Sequence, residues 1–269
     1  MIKPPAVDIL FRQAQDPNPP PDLVTVAVSL YNYAHFLPDC LNSIRAQRHP
    51  NLELVVVDDV STRDDSIGVA LTWLQANAER FVRVSLLRHR RNQGLAQARN
   101  TGFAHALGSH VFVIDADNEI YPRAIGRLHQ AIATSGAGAA YTQLELFGNK
   151  QALGAADVWQ PQWLRQGNYI DAMALVSRSA WQDVGGYTHI DGGWEDYDFW
   201  CKFVEQGYVA AFVPEILCRY RIHGTSMLRT ETARSYDALF IEMTLRHPWL
   251  KLAPIAAEDR APIAAEDRA

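Results

Sequence analysis

Four apolar runs, each followed by a segment with helical spacing, constrain the fold of this chain more than any other feature. Leu23–Leu30 (LVTVAVSL) is β-branched and free of Gly and Pro, and it predicts a strand buried on both faces. Phe36–Gln47 follows, with apolar residues at Phe36, Cys40, Leu41 and Ile44 and with Pro38 suited to a first helical turn. The same alternation recurs at Leu52–Val57 and Ser66–Asn77, at Val82–Leu87 and Gly94–Leu107, and at His110–Ile114 and Pro122–Thr134. A further strand is expected at Ala139–Phe147. The pattern implies an α/β fold, a Rossmann-like, mostly parallel sheet with helices on both faces.

After Gly148 the rhythm breaks. Asn149–Gln166 is polar and Trp-bearing, and reads either as a lid over a ligand or as an ordinary surface loop. Beyond it, strands are expected at Met173–Ser177, Val209–Val213 and Leu217–Ile222, and helices at Ser179–Val184, Asp196–Gln206 and Thr232–Arg246. This half is mixed rather than regularly alternating, but no linker separates it from the first. A single domain over 23–252 is the expectation.

The two ends read differently. Residues 1–22 include DPNPPPD and suggest an extended Pro-rich linker, as in one module of a larger protein. Ala253–Arg260 and Ala261–Arg268 both spell APIAAEDR, so 253–269 reads as a duplicated tail with little to bury. Hydrophobic residues at 48% and charged residues at 20% exclude a disordered chain. A net charge of -5 argues against a nucleic-acid partner bound through bulk positive charge. No apolar run approaches the ~20 residues of a membrane span. The start MIKPPAVDIL has no secretory apolar core. Cys40, Cys201 and Cys218 are dispersed and odd in number, as expected of reduced thiols in a cytoplasmic protein.

Ligands of open parallel sheets bind outside the carboxyl ends of the strands. Here those ends carry Tyr31-Asn32, Asp58-Asp59, Asn92-Gln93-Gly94 leading to Arg99-Asn100, and Asp115-Ala116-Asp117. Any single Asp in such a place is commonly a helix cap, but four polar ends on one edge favour a site. A D-x-D in a turn can present two carboxylates to one hard cation, Mg²⁺ or Mn²⁺, with phosphate oxygens completing the shell. The chain has no P-loop, no G-x-G-x-x-G after its first strand, no H-E-x-x-H and no G-x-S-x-G. Further along lie Gly185-Gly186-Tyr187, Trp194-Glu195-Asp196-Tyr197-Asp198 and Tyr220-Arg221-x-His223. Acids at a helix start also suit the helix dipole. A His joining the D-x-D would suit Mn²⁺.

The ordered set V-S-L-Y-N, V-V-D-D-x-S, N-x-G-x-x-x-A-R-N, D-A-D, G-G-Y, W-E-D-Y-D and Y-R-x-H, from Val28 to His223, resembles the family-2 inverting nucleotide-sugar glycosyltransferases of the GT-A fold. The resemblance implies that Asp59 faces the nucleotide base with Asp58 beside it, and that Tyr31 and Asn32 line the base and ribose pocket. It implies that Arg99 holds the nucleotide, that Asp115 reaches the ribose, that Asp117 binds a divalent metal, Mn²⁺ or Mg²⁺, and that His223 reaches the metal or the diphosphate. Asp196 matches the general base, with Glu195 beside it. Trp194 walls the acceptor pocket or packs as a hinge aromatic. The implied donor is a UDP-sugar and the acceptor a glycan or glycolipid, including one at a membrane.

Ser29 stands where many members have Pro, and Val60 where Gly is frequent. The Q-x-x-R-W signature of processive synthases is absent, so non-processive transfer is expected. The alternatives are a non-catalytic nucleotide-sugar or carbohydrate-binding module and a sugar-1-phosphate nucleotidyltransferase. The latter wants a Gly-rich basic loop where Tyr31-Asn32-Tyr33 stands.

Overall fold

The computed structural model describes residues 2–15, 18–224 and 233–252. Ten strands form one sheet: β1 (Val7–Ala14), β2 (Val24–Leu30), β3 (Leu52–Asp58), β4 (Arg83–His89), β5 (His110–Asp115), β6 (Glu119–Ile120), β7 (Ala139–Gly148), β8 (Ala152–Leu153), β9 (Leu175–Ser177) and β10 (Ala210–Ile222). The helices are α1 (Leu37–Arg45), α2 (Ser66–Asn77), α3 (Leu95–His105), α4 (Ala124–Ser135), α5 (Arg178–Asp183), α6 (Glu195–Glu205) and α7 (Ala233–Arg246). The strand order is β1-β4-β3-β2-β5-β9-β7-β10-β6, with β8 beside β7.

Strands β2 to β5 pair in parallel, as their unbroken apolar runs predict. The short β9 is antiparallel to both β5 and β7, and β10 is parallel to β7. Two antiparallel steps restore direction, so β2, β3, β4, β5, β7 and β10 all end at the same edge. That edge carries the predicted site residues.

The sheet buries both faces. On one, Val26, Val28, Leu30, Leu54 and Val56 meet Leu37, Leu41 and Ile44 of α1 and Leu128 of α4. On the other, Ala27, Val111 and Val113 meet Phe103 of α3, Trp181 of α5 and Phe199 and Phe203 of α6. The Ala-rich composition of α3 follows from its closeness to the sheet. A methyl group on Gly102 would stand 2.6 Å from Cβ of Ala27. The helix is buried almost all round and delivers Arg99, only 4% exposed, to the strand ends.

Three expectations are corrected. Residues 1–22 are not all linker, because Val7–Ala14 forms an edge strand antiparallel to β4. Its residues are mostly exposed, so it carried no buried apolar run to predict it. The two strands expected at Val209–Val213 and Leu217–Ile222 are one, β10, whose register breaks between Val213 and Cys218, around Pro214. The segment 149–166 is a packed buttress: it adds β8 and a 3₁₀ turn at Pro161–Gln166, and buries Ala156 and Leu164 against the α6 side of the core. The duplicated tail lies outside the described residues. Cys40, Cys201 and Cys218 are free and buried. Among the described residues no helix is long and apolar enough to cross a membrane.

Candidate active site

The loop after β2 is built around Asn32, which adopts φ 58°. Its Oδ1 accepts from the backbone N–H of Thr62 and Arg63 at 2.9 Å each, and its own N–H donates to Ser61 Oγ at 2.9 Å. Asn32 therefore ties the ends of β2 and β3 together and leaves its Nδ2 buried without a partner. Tyr31 beside it is 41% exposed at the mouth of the edge.

Asp58 and Asp59 both turn inward. Asp58 is fully buried and accepts from Val60 N (3.1 Å) and Ser61 N (3.2 Å), with the Arg88 guanidinium 3.4 Å away. Those bonds hold Val60 at φ 67°, a left-handed conformation that a β-branched residue adopts at a cost of ~1–3 kcal/mol. The Gly-to-Val departure thus falls on a strained position. Asp59, which the resemblance places facing a base, has oxygens that accept from Gln93 N (2.8 Å) and Gly94 N (2.8 Å) and meet His89 Nδ1 at 2.6 Å. The His89 ring continues to Thr101 Oγ1 at 2.8 Å. Both aspartates organise the turns around the pocket, and Asp59 pins the loop that starts α3. Gly94 has φ 83°, and a Cβ there would lie 2.7 Å from His189 Nδ1, so the loop needs glycine on both counts.

From α3, Arg99 Nη2 donates to Asp115 Oδ2 at 3.0 Å, and the guanidinium lies 5.4 Å from the centre of the Tyr187 ring. Its neighbour Asn100 accepts from Trp181 Nε1 and Tyr187 N and donates to Tyr187 O. The A-R-N and G-G-Y motifs are thus two sides of one joint. Burial works against the Arg99 charge, but Asp115, Tyr187, Glu195 and Asp196 outweigh it and raise its pKa.

Asp117 Oδ2 meets His223 Nε2 at 2.9 Å, and the His223 ring stands edge-on to Tyr33. Arg221 braces this corner. Its Nε donates to the Asp117 carbonyl (2.9 Å), its N–H donates to Asn118 Oδ1 (2.9 Å), and its Nη2 reaches Asp39 (3.1 Å) and Glu119 (2.7 Å). The guanidinium lies 4.6 Å from the Phe36 ring centre and 4.5 Å from that of Phe147. Asp115 Oδ1 and Asp117 Oδ1 are buried and have no partner.

The last contributors come from α6. Trp194 precedes it at φ 66°, half-buried, with its ring edge-on to Tyr197 and Tyr236 at 5.7 and 5.4 Å. Glu195 is 3% exposed and Asp198 1%, while Asp196 is half-buried. Asp196 Oδ1 accepts from Tyr197 N (2.9 Å) and Oδ2 from Asn168 Nδ2 (2.9 Å). Asp198 faces away from this group and pairs with Lys202 (2.8 Å), His247 (3.1 Å) and Arg246 (3.6 Å).

Four carboxyls share the neighbourhood of Arg99, and all are shifted upward, chiefly by burial, with neighbouring carboxylates adding to the rise for Asp115, Asp171 and Glu195. Asp115 and Asp196 are raised, Glu195 is pushed up to about 6 and Asp171 to about 7, with Arg99 opposing in each case. One guanidinium among four acids leaves the pocket short of positive charge. Among the described residues no three His, Cys, Asp or Glu side chains form a ready-made metal cage. A cation seated here would need oxygen ligands from a bound phosphate group.

Sequence reasoning missed Asp171 and Asn168. Asp171 enters the site because β9 is antiparallel. The chain approaching β9 arrives where β5 ends, with Val113 N donating to Ala174 O. Strand direction left no mark in the local sequence, and with β9 assumed parallel Asp171 would lie at the far end. An acid just before a short strand was the only available signal.

Known proteins resemble this chain in sequence family and in fold. The family described as "Glycosyl transferase family 2" matches residues 25–176. An uncharacterized glycosyltransferase of Nostoc sp., alr2836, is 35% identical over 159 residues, which cover 59% of this chain and 47% of that protein. The chain thus spans about half the length of that relative. EpsE of Bacillus subtilis, whose glycosyltransferase assignment is itself provisional, is 25% identical over 86% of this chain and 84% of its own. Among solved structures, S. aureus TarS 1-349 in complex with UDP-GlcNAc superposes with a TM-score of 0.64 at 15% identity, over 82% of this chain and 66% of that one. The mannosyltransferase PcManGT from Pyrobaculum calidifontis, in complex with GDP-Man and Mn²⁺, gives 0.59 at 22% identity, over 87% and 70%. These structural likenesses show the fold. With the family match covering more than half of its residues, the chain belongs to glycosyl transferase family 2 and has the GT-A-type fold.

Proposed function

We propose that this chain transfers one sugar at a time from a nucleoside diphosphate donor, with UDP as the nucleotide, to an acceptor hydroxyl with inversion at the anomeric carbon. The observation that carries this reading is the pair of buried, unpartnered oxygens, Asp115 Oδ1 and Asp117 Oδ1, at the edge where the parallel strands end. Buried acceptors left unpaired are costly and call for a ligand. Together with the surplus of carboxylates they fit a divalent cation, Mn²⁺ or Mg²⁺, sharing phosphate oxygens of the donor. GT-A enzymes commonly use such ions, and the PcManGT structure contains Mn²⁺. Bound there, the cation would offset negative charge on the diphosphate.

The remaining roles fall to side chains. Asp117 and His223 would hold the cation. Arg99, kept charged, stabilises the departing diphosphate, and Asp115 orients both Arg99 and the donor. Tyr31 and Asn32 border the nucleotide pocket, with Asp58 and Asp59 shaping its turns from behind. Asp196 removes the proton of the acceptor hydroxyl, and its raised pKa makes it a stronger base than an exposed aspartate. Glu195, buried beside it, supports the helix start, and Trp194 borders the acceptor side. TarS structures holding UDP and UDP-GlcNAc support the choice of nucleotide.

The test is calorimetric titration with UDP, with and without Mn²⁺, joined to a transfer assay across a panel of nucleotide-sugars. Mn²⁺ should tighten UDP binding in the wild type, and Asp117→Ala should abolish that gain. Asp196→Asn should keep UDP binding and lose transfer by at least about a hundredfold. Equal UDP affinity with and without Mn²⁺ in the wild type would overturn the metal assignment. Near wild-type transfer in Asp196→Asn would move the base elsewhere.

A further inference from the structure

The segment 149–166, read from sequence as either a lid or a surface loop, is joined with the residues just after it to α6 at two points. Leu164, fully buried in the 3₁₀ turn, accepts through its carbonyl from the Tyr197 hydroxyl. Four residues later, Asn168 Nδ2 donates to Asp196 Oδ2 at 2.9 Å. The orientation of that amide is fixed by its other end, since Asn168 Oδ1 accepts from Ile170 N at 3.2 Å. The segment is also closed on itself: Tyr169 Oη accepts from Gln160 N at 2.9 Å, and Trp163 stands edge-on to the Tyr169 ring. Adjacent residues of one helix, Asp196 and Tyr197, thus grip the same short piece of chain, one as acceptor and one as donor.

We propose that Asn168 is a positioning residue for Asp196, fixing the orientation of its carboxylate and stabilising its charged form from outside the helix that carries it. The proposal rests on the reading of Asp196 as the base. Without Asn168 the carboxylate would keep backbone partners from its own helix start, the N–H of Tyr197 on Oδ1 and its own N–H, but would lose the side-chain donor on Oδ2. A base that must meet an acceptor hydroxyl in one geometry needs both oxygens fixed.

The groups that act on Asp196 come from several elements: Arg99 from α3, Asp115 from the end of β5, Asp171 from the approach to β9, Tyr187 from the loop before α6, Tyr220 from β10, and Glu195 and Cys201 from α6 itself. Of these Arg99 alone is cationic, and it is already paired with Asp115. The Asn168 amide is a neutral donor to the charged carboxylate, and it lowers the pKa that burial raises.

The test uses the full chain labelled with ¹³C at aspartate carboxyls, with the Asp196 resonance assigned by its loss in Asp196→Asn. Asn168 is exposed, so Asn168→Ala should fold with an unchanged melting temperature. The Asp196 midpoint should move up in Asn168→Ala and further up in Asn168→Asp, where a like charge replaces the donor. The acid limb of the transfer rate should move the same way while UDP affinity stays at the wild-type value. Tyr197→Phe, which releases the Leu164 anchor without touching the Asn168 amide, should move the midpoint in the same direction by less. An Asp196 midpoint unchanged in both Asn168 variants overturns the proposal. The base assignment is judged separately, by transfer in Asp196→Asn, so the two fail by different results.

Discussion

Replacing Asp59 with Asn separates a structural from a nucleotide-binding role for the second aspartate of the V-V-D-D motif. Asp59 is 4% exposed and its two oxygens face three donors: His89 Nδ1 and Gln93 N on Oδ1, and Gly94 N on Oδ2. An asparagine can keep Oδ1 in place, but then sets an NH₂ against the Gly94 N–H, leaving that buried donor unpaired. A buried hydrogen bond to a charged group contributes about 1.5–3 kcal/mol, and removing its acceptor also exposes the desolvation cost of the orphaned donor. A loss of about 2–3 kcal/mol is therefore expected. In a chain of this size each kcal/mol moves Tm by about 2–4 °C, so the variant should melt about 5–10 °C lower. Thermal unfolding followed by circular dichroism reads this directly, with UDP titration at a temperature well below both transitions. An unchanged Tm would refute the reasoning. An unchanged Tm with abolished UDP binding would return Asp59 to the base pocket, where the motif alone placed it.

Two further outcomes follow from the same geometry. Burial would push the Asp198 carboxyl up, but its bonds with His247 and Lys202 outweigh this and lower it from 3.8 to about 2. A carboxyl depressed on folding stabilises above its unfolded pKa and loses that contribution as pH falls through the folded value. Asp198 should therefore supply about 2 kcal/mol at neutral pH that disappears between about pH 4 and 2, and Asp198→Asn should flatten that acid limb in urea titrations. If Asp117 holds the cation as proposed, Arg221→Gln should weaken Mn²⁺ binding, measured with UDP present, by about tenfold, as when a residue bracing a ligand is removed. Arg221→Lys should recover only part of this, because a point charge does not reproduce the flat contact between Phe36 and Phe147.

The parallel half of the fold was legible because its strands are buried on both faces and advertise it as apolar runs. Strand β1 was not, because its side chains are mostly exposed and it gains its place through backbone pairing with β4. At the candidate site, the sequence put its polar residues at the strand ends, where the structure has them, but could not say which way a side chain turns. Asp58 and Asp59 are adjacent acids at a strand end, as Asp115 and Asp117 nearly are. The first pair is consumed by backbone N–H groups of neighbouring turns, whereas Asp115 and Asp117 each keep one unpaired oxygen. That difference lies in the loops opposite, from Val60 to Gly94, and not in the motif. The polar segment 149–166 was ambiguous for a related reason: Ala156, Trp159 and Leu164 anchor it to the core, but their uneven spacing in a polar stretch gives no period to read.

Arg221 and Asp39 are 182 residues apart in the chain, and His223 and Asp117 106 apart. Closing so long a loop costs little more than closing one of half the length, about 0.6 kcal/mol, yet it fixes an order of events. Strands β2 to β5 lie within one contiguous stretch and can pair while β10 is still being synthesised. The edge that holds Asp117 is thus completed last. A chain stopped short of residue 210 would carry Arg99 and Asp115 in place and keep the pairing of β2 to β5, while lacking β10, whose end brings Arg221 and His223 to Asp117. Such a product would have the parallel half of the sheet without the corner around Asp117, so recovery of folded material from a shortened chain is a poor guide to whether the candidate site has formed.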